Sequence, residues 1–542
     1  MTAELAVTVH GKRLCVEPIR HLGEVRFITH RNILKNNGGT FDSDTWKTFL
    51  PGTAALDCLD KLAGASFAMS YGADVPDYLR DQASALTSAL VSDIDPRARP
   101  YQREGVGYLR ARSRAMLADE MGIGKSMQAL SAAPHGAPLL VVAPALAKGV
   151  WKLQANEWAP DRRVAILSGR GSFRWPRPGE MIVINYDVLP PAGATLPNPL
   201  PGTIMVADEA HYCKGKTGRQ AATAALVKII TKVPGGRAWA LTGTPLANWP
   251  PDLYRVLATF GLADVFGNWP NFVRLFAGTK DRWGKWSWGK PHESVPRILS
   301  RVMLRRTRDQ VLPQLPKKSY STISVPLSDS DNEALATMLR AAGVRISEIT
   351  ADTLSKLLRS SHVMAARKLL ATAKIKHALQ WVEECEAAGE PVIVFSAHRG
   401  PVLEIARRDG WRSITGDVSP EDRTLIAAEF QAGKLKGIAA TIDAGGVAIT
   451  LTRACMALFV DLEWTPAANS QAEDRILRLG QERAVTIYRA VAEHELDEKV
   501  AALLKGKQET LQASIEAITS TSDAVLAKRL TDLANKIELE SL

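Results

Sequence analysis

The stretch Ala118-Asp-Glu-Met-Gly-Ile-Gly-Lys-Ser126 decides how this chain is read. Gly122 and Gly124 let the backbone pass close to a polyphosphate with its N–H groups turned inward. Lys125 reaches β- and γ-phosphates as a point charge, and the Ser126 hydroxyl is a candidate ligand for Mg²⁺. A helix is expected to follow from Met127, its N-terminus set against the anion. The strict pattern GxxxxGK[ST] is not met, because Asp119 stands where the first glycine belongs. Alone, the segment also reads as a surface loop with a chance Gly-Lys-Ser. The partners that arrive later, in order, separate the two readings.

Four runs downstream have the form of strands buried on both faces of a parallel sheet: Leu139–Pro144, Met181–Tyr186, Thr203–Asp208 and Ala238–Pro245. Ligands in such sheets gather at the carboxyl ends of the strands. The third run ends in Asp208-Glu-Ala-His211, 83 residues after Lys125. A carboxylate at a strand tip facing a phosphate loop is placed to hold Mg²⁺ (Asp208), and the next can orient or deprotonate an attacking water (Glu209). Upstream, Tyr101-Gln102 precedes the loop by some twenty residues. The Gln102 amide can pair with both edges of an adenine through its donor and acceptor, although a surface glutamine on a helix has the same appearance.

A second group of apolar runs lies further on, at Val392–Phe395, Gly437–Ile442, Leu458–Leu462 and Val485–Tyr488, separated by helical segments. Within Gln471-Ala-Glu-Asp-Arg475-Ile-Leu-Arg478-Leu-Gly-Gln481 a helix would project Gln471, Arg475 and Arg478 from one face. Such a face is ordinarily an exposed basic stripe. With a phosphate loop elsewhere in the chain, it suits charge developing on a γ-phosphate across a cleft.

At 542 residues, 46% hydrophobic and 23% charged, the chain is long enough for three or four globular domains. The net charge of +11 suits a polyanionic partner, and it is unevenly spread: residues 1–95 hold 9 basic and 12 acidic side chains, so the surplus belongs to the remainder. Five cysteines without CxxC spacing argue for a reducing compartment and against a zinc site. No apolar run approaches the ~20 residues of a membrane helix, and no charged-then-apolar signal opens the chain.

In family order, the segments RPYQREG, ADEMGIGKS, VVAPALAKGVW, DEAHYCK, LTGTPLANWPPDLY, VMLRRTRDQVLPQLPKK, VIVFSAH, AGGVAITLT and QAEDRILRLGQ resemble the Swi/Snf family of superfamily-two helicase-like motors, from about residue 98 to 502. The stretches FAGTKDRWGKW and VMLRRTRDQVLPQLP, and Arg367 with Ala373-Lys-Ile-Lys376, are similar to the annealing-helicase (HepA-related, HARP) branch, whose paired arginines Arg305 and Arg306 match. The resemblance implies an α/β fold of two RecA-like parallel-sheet lobes with helical insertions, and ATP with Mg²⁺ in the cleft between them. It implies coupling of the nucleotide site to DNA through His211, Thr242, Gly243 and Thr244, and double-stranded or branched DNA as the track. Ser126 for the commoner Thr, Ala448 for a Gly and Leu477 for a His are departures from the family pattern.

The expected organisation is a small α+β module over 1–95, a first lobe over 96–265, helical insertions and a bridge over 266–390, a second lobe over 391–504 and a helical tail over 505–542. In the first module Val25–Thr29 reads as a strand, 36–39 as a turn, 41–50 as a hairpin and 53–62 as helical, with Trp46 in the core. Trp269, Trp283, Trp286 and Trp288 interleave with Arg274, Lys280, Arg282, Lys285 and Lys290. Trp283, Lys285 and Trp286, with Arg305 and Arg306, are the candidate DNA contacts, and tryptophans filling a small core explain the aromatic run at least as well. A monomeric motor is expected, cytoplasmic in a bacterial or phage setting and nuclear in a eukaryotic one, with a protein partner admissible at either terminal module. Its rivals are a strand-separating helicase and a non-catalytic DNA-binding scaffold.

Overall fold

The computed structural model describes residues 3–10, 13–36, 40–42, 47–50, 58–59, 62–63, 65–88, 94–169, 171–215, 217–245, 250–282, 284, 286–341, 343, 361–445, 449–464, 466–478, 480–516, 531, 534–535 and 537. The chain forms two compact units, Met1–Arg112 with Thr521–Leu542, and Ser113–Ser520.

The first unit is built on strands β1 (Leu5–His10), β2 (Arg13–Pro18), β3 (Thr40–Asp42), β4 (Lys47–Leu50) and β5 (Met69–Tyr71), in the order β3-β4-β2-β1-β5. β3 and β4 pair antiparallel, as the hairpin expected within 41–50. The strand expected at Val25–Thr29 is instead part of the helix Glu24–Asn36. The reason is which face gets buried: His30 and Leu34 point inward at helical spacing, whereas Val25 and Ile28 are exposed. Trp46, the turn at 37–39 and most of 53–62 lie outside the described residues. The helix Pro100–Arg110 is grouped with this unit, which runs to Arg112. Ala534 and Ile537, from the tail, are buried in the same core as Leu5, Leu14 and Leu79.

The second unit holds two parallel sheets. In the first, β6 (Arg114–Leu117), β7 (Leu139–Ala143), β8 (Arg163–Ile166), β9 (Glu180–Asn185), β10 (Ile204–Ala207), β11 (Arg237–Leu241) and a late strand, β14 (Met303–Leu304), run in the order β14-β6-β11-β10-β7-β9-β8. β7 and β10 are fully buried, as their continuous apolar sequence requires once helices cover both faces. Between β11 and β14 a hairpin, β12 (Thr279–Lys280) and β13 (Trp286–Ser287), projects from an aromatic cluster.

The second sheet contains β15 (Lys318–Val325), β16 (Val392–Ser396), β17 (Trp411–Ile414), β18 (Gly437–Thr441), β19 (Met456–Phe459) and β20 (Val485–Ala492), ordered β15-β20-β19-β16-β18-β17. Residues 266–390, expected as helical insertions and a bridge, also supply a strand to each sheet. Neither strand announces itself: β14 spans two residues, and β15 carries serines and threonines with most of its side chains exposed or half-buried.

Candidate active site

The phosphate loop hangs from β6 and ends at the helix Lys125–Ala132, capped by Gly124. Gly122 and Gly124 have φ of 82° and 89°, the left-handed region that side chains resist. Asp119 explains the departure from the strict glycine pattern. It is fully buried, and its two oxygens accept from Arg306 Nε at 3.0 Å and from an Arg306 terminal nitrogen at 2.6 Å. Arg306 also donates to Gln128 Oε1 at 3.0 Å, on the helix after the loop. Arg305 donates to the Ala118 carbonyl at 2.6 Å and the Gly243 carbonyl at 3.3 Å. β14 lies beside β6 and delivers both arginines beneath the loop. The DNA contacts expected of Arg305 and Arg306 are therefore corrected: at 5% and 7% exposure, these guanidiniums brace the loop from inside.

Lys125 Nζ donates to the Asp119 and Glu120 carbonyls, at 2.8 and 3.0 Å. Burial depresses its pKa, with Glu209, Asp119 and Asp208 opposing. Asp208 lies at the end of β10. Burial, then the adjacent Glu209 charge, raise it to about 6, while the Trp151 indole N–H, donating to Oδ2 at 2.8 Å, acts the other way. The Glu209 N–H donates to Asp208 Oδ1 at 3.0 Å, and the Tyr186 hydroxyl donates to the Asp208 carbonyl at 2.7 Å. Trp151 lies within the quoted VVAPALAKGVW segment, but nothing in its spacing marks it as a partner of Asp208.

Glu209 has φ of 49°, a strained value that turns the chain sharply out of the strand. Its Oε2 is buried 3.3 Å from His211 Nδ1, without hydrogen-bonding geometry. Burial would raise the Glu209 pKa, but His211, Lys125 and Arg475 together bring it below the usual value. His211 Nδ1 also lies 3.5 Å from Thr244 Oγ1, and the Thr244 N–H donates to Thr242 Oγ1 at 3.1 Å. A side chain on Gly243 would begin 2.4 Å from Met121 Cγ and 3.5 Å from Lys125 Nζ, so the turn after β11 approaches the loop closely enough to need glycine.

The second sheet brings Arg475 and Arg478 to the same place. The expected continuous helix through both is corrected: it spans Pro466–Glu473 and then breaks into turns. The carbonyls that would extend it are taken from outside. Arg475 O accepts from Leu451 N–H, Ile476 O from Gln481 Nε2 and Leu477 O from Arg308. Arg475 Nε donates to the Gln471 carbonyl at 3.2 Å. Burial lowers the Arg475 pKa, and Glu209 and Asp208 from across the cleft, with the adjacent Asp474, oppose that shift. Arg478 donates to Thr450 Oγ1 at 3.0 Å, and burial and then the Arg475 charge push it down to about 9. A Cβ on Gly122 would meet Arg478 Cγ at 3.3 Å.

Three cations from two lobes, Arg475 buried and Lys125 and Arg478 half-buried, thus converge on a glycine cradle, each depressed by desolvation. That is the electrostatic signature of a site that suits a polyphosphate. Ser126 and Asp208 fit a hydrated Mg²⁺, which takes few protein ligands and completes its shell with phosphates and water.

The remaining candidates are dispersed. Gln102 lies in the other compact unit, where its Oε1 accepts from Arg99 N–H at 2.9 Å as part of a helix cap. Trp286 stacks on Trp288 at 5.5 Å, with Lys280 Nζ 6.0 Å from its ring, while Trp269 and Trp288 pack against the first sheet's core. Trp283 and Lys285 lie outside the described residues. Sequence reasoning passed over Trp151, Arg308 and the structural role of Asp119.

Fold and site define a two-lobed ATPase of the helicase type. The SNF2-related domain family matches residues 101–378, and the helicase conserved C-terminal domain matches residues 373–480. The chain belongs to the SNF2-related family. It is 27% identical over 466 residues to the SWI/SNF-related matrix-associated actin-dependent regulator of chromatin subfamily A-like protein 1 of Xenopus tropicalis, covering 80% of this chain and 47% of that protein. It is 26% identical over 489 residues to the DNA annealing helicase and endonuclease ZRANB3 of Bos taurus, covering 82% and 45%. The chain therefore spans about half the length of the curated relatives it matches. Among solved structures, the Sulfolobus solfataricus SWI2/SNF2 ATPase core in complex with dsDNA aligns at 23% identity and a TM-score of 0.37, covering 83% of this chain and 98% of that one. Among the described residues no helix is long and apolar enough to cross a membrane.

Proposed function

We propose that this chain is an ATP-dependent double-stranded DNA translocase that remodels DNA or the proteins bound to it, with forked or branched DNA as its substrate. The observation that carries the reading is the convergence of Lys125, Arg475 and Arg478, from two lobes, on one glycine cradle. The similarity to a DNA annealing helicase supports DNA as the partner.

ATP with Mg²⁺ supplies the transferable phosphoryl group and the charge that closes the cleft. Lys125 and the loop N–H groups bind the phosphates, and Ser126 with Asp208 would hold the metal. Glu209, kept ionised by His211, Lys125 and Arg475, orients the attacking water. Arg475 and Arg478 complete the pocket as arginine fingers, groups worth roughly 10³–10⁵ in rate elsewhere. His211, Thr244 and Thr242 link Glu209 to the end of β11. They are the assigned route between hydrolysis and the DNA track, along which phosphate contacts position the motor without reading sequence. Gln471 is assigned to the nucleotide, and Trp286 with its neighbouring cations to DNA.

ATPase rates measured side by side with duplex, single-stranded and forked DNA test the proposal. Stimulation by forked or duplex DNA, with re-annealing of a labelled fork, supports it. Robust unwinding without re-annealing would instead make the chain a strand-separating helicase.

A further inference from the structure

We propose that Arg308 is a positioning residue for ATP hydrolysis, its guanidinium tying the arginine-bearing turn of the second lobe to the phosphate loop of the first. The inference rests on the reading of Arg475 and Arg478 as the groups that complete the site. Arg308 opens the short helical turn Arg308–Val311, just beyond β14. Towards the first lobe, its main-chain N–H donates to Glu120 Oε2 at 2.7 Å and its Nε to Glu120 Oε1 at 2.8 Å. Towards the second, its terminal nitrogens donate to Asp474 Oδ1 at 2.7 Å and to the Leu477 carbonyl at 3.0 Å.

The positions of these partners give the contact its meaning. Glu120 belongs to the phosphate loop, two residues before Gly122. Asp474 and Leu477 each immediately precede one of the two arginines. One rigid, planar fork therefore sets the distance from the loop to the backbone that carries both fingers, which the single flexible ammonium of lysine could do only in part. Lys318, at the start of β15, fixes the acidic pair from the other side, reaching Glu473 at 2.8 Å and Asp474 at 3.5 Å. Burial alone would depress the Arg308 pKa, but Asp474 and Glu120 outweigh it and raise the pKa, so the fork stays charged.

A buried ion triad is weak grounds for stability, since burying its charges costs about as much as their attraction returns. Its location gives it another use: misplacing a reacting group by about 1 Å costs on the order of 100-fold in rate. The lobes separate when this fork lets go of one side, so the arginines reach the phosphates only when Arg308 spans both.

The test is steady-state ATPase of the full chain with saturating duplex DNA, paired with binding of a fluorescent ATP analogue. Arg308→Gln is expected to lower kcat by about 10- to 100-fold while analogue affinity changes by less than about threefold, with Arg308→Lys recovering part of the loss. Glu120→Gln removes the lobe-one anchor at a side chain 26% exposed, so it carries the test even where Arg308→Gln fails to fold. It is expected to lose kcat in the same selective way, with an unchanged unfolding midpoint. Arg475→Ala is the control for the underlying reading. Wild-type kcat in Glu120→Gln beside a crippled Arg475→Ala overturns the positioning role, as does a parallel loss of kcat and analogue affinity. Wild-type turnover by Arg475→Ala itself overturns the finger assignment instead.

Discussion

Arg306 holds Asp119 through two parallel hydrogen bonds in a fully buried setting, and the pair forms the floor of the phosphate loop. The aspartate that breaks the strict glycine pattern is therefore a structural replacement for it. Asp119→Gly restores that pattern but removes the carboxylate that faces the buried Arg306 charge. Removing one partner of such a pair costs about 3–5 kcal/mol. The substitution is expected to lower the urea midpoint markedly and to weaken ATP binding. A variant as stable as the parent would show that Arg306 finds its partners elsewhere.

Trp151 and Asp208 support a second prediction. The indole N–H is a directional donor to one oxygen of the proposed metal ligand, and Trp151→Phe removes it while keeping most of the packing. Loss of a hydrogen bond behind a metal ligand typically costs 10- to 100-fold in metal affinity, so the Mg²⁺ needed for half-maximal nucleotide binding is expected to rise by roughly that factor. An unchanged Mg²⁺ titration counts against the role of this bond.

The raised pKa of Asp208, about 6, predicts a pH profile. Above that value the carboxylate is charged and able to bind metal, and below it the proton competes. kcat/KM reports ionisations of the free enzyme, so it is expected to fall as pH drops through about 6. Because the indole bond favours the charged form, Trp151→Phe moves this acid limb to higher pH. A limb that stays put in the variant would assign the ionisation to another group.

Where the sequence was legible, burial was the reason. β7, β9, β10 and β11 are continuous apolar runs because both faces of the sheet are covered, and β16, β18 and β19 repeat the pattern, whereas β20 alternates between buried and half-buried side chains. β15 was missed because its side chains are largely exposed, and Val25–Thr29 was misread because composition favours a strand where packing selects a helix. Arg305 and Arg306 show a different limit. A cation's letter is the same whether it meets DNA or a buried carboxylate, and only the pairing of β14 with β6 reveals which. The helix expected through Arg478 failed for a related reason, since Leu451 and Arg308 capture its carbonyls from distant parts of the chain and Gln481 captures another from just beyond the turn.

The thiols give an independent check on the packing. Cys15, Cys58, Cys213 and Cys385 are buried and Cys455 is partly exposed, all of them free. Burial pushes Cys213 and Cys385 up to about 11, so little reactive thiolate exists at pH 8. A thiol reagent at that pH is expected to modify at most one cysteine quickly, Cys455, and all five after denaturation. Rapid modification of Cys213 in the native protein would mean that the turn after Asp208 is open.

Lys125→Ala tests the phosphate loop itself. The ammonium is set among loop carbonyls and near the Asp208 and Glu209 carboxylates. Alanine leaves two carboxylates facing a polyphosphate without the lysine charge, so ATP hydrolysis is expected to fall to background. DNA affinity without nucleotide is expected to persist and to weaken steeply with salt, because phosphate neutralisation releases counterions whatever the state of the ATP site. ATPase at the parent rate in Lys125→Ala would remove this loop from the chemistry, and a salt-independent affinity would remove DNA backbone contact as the track.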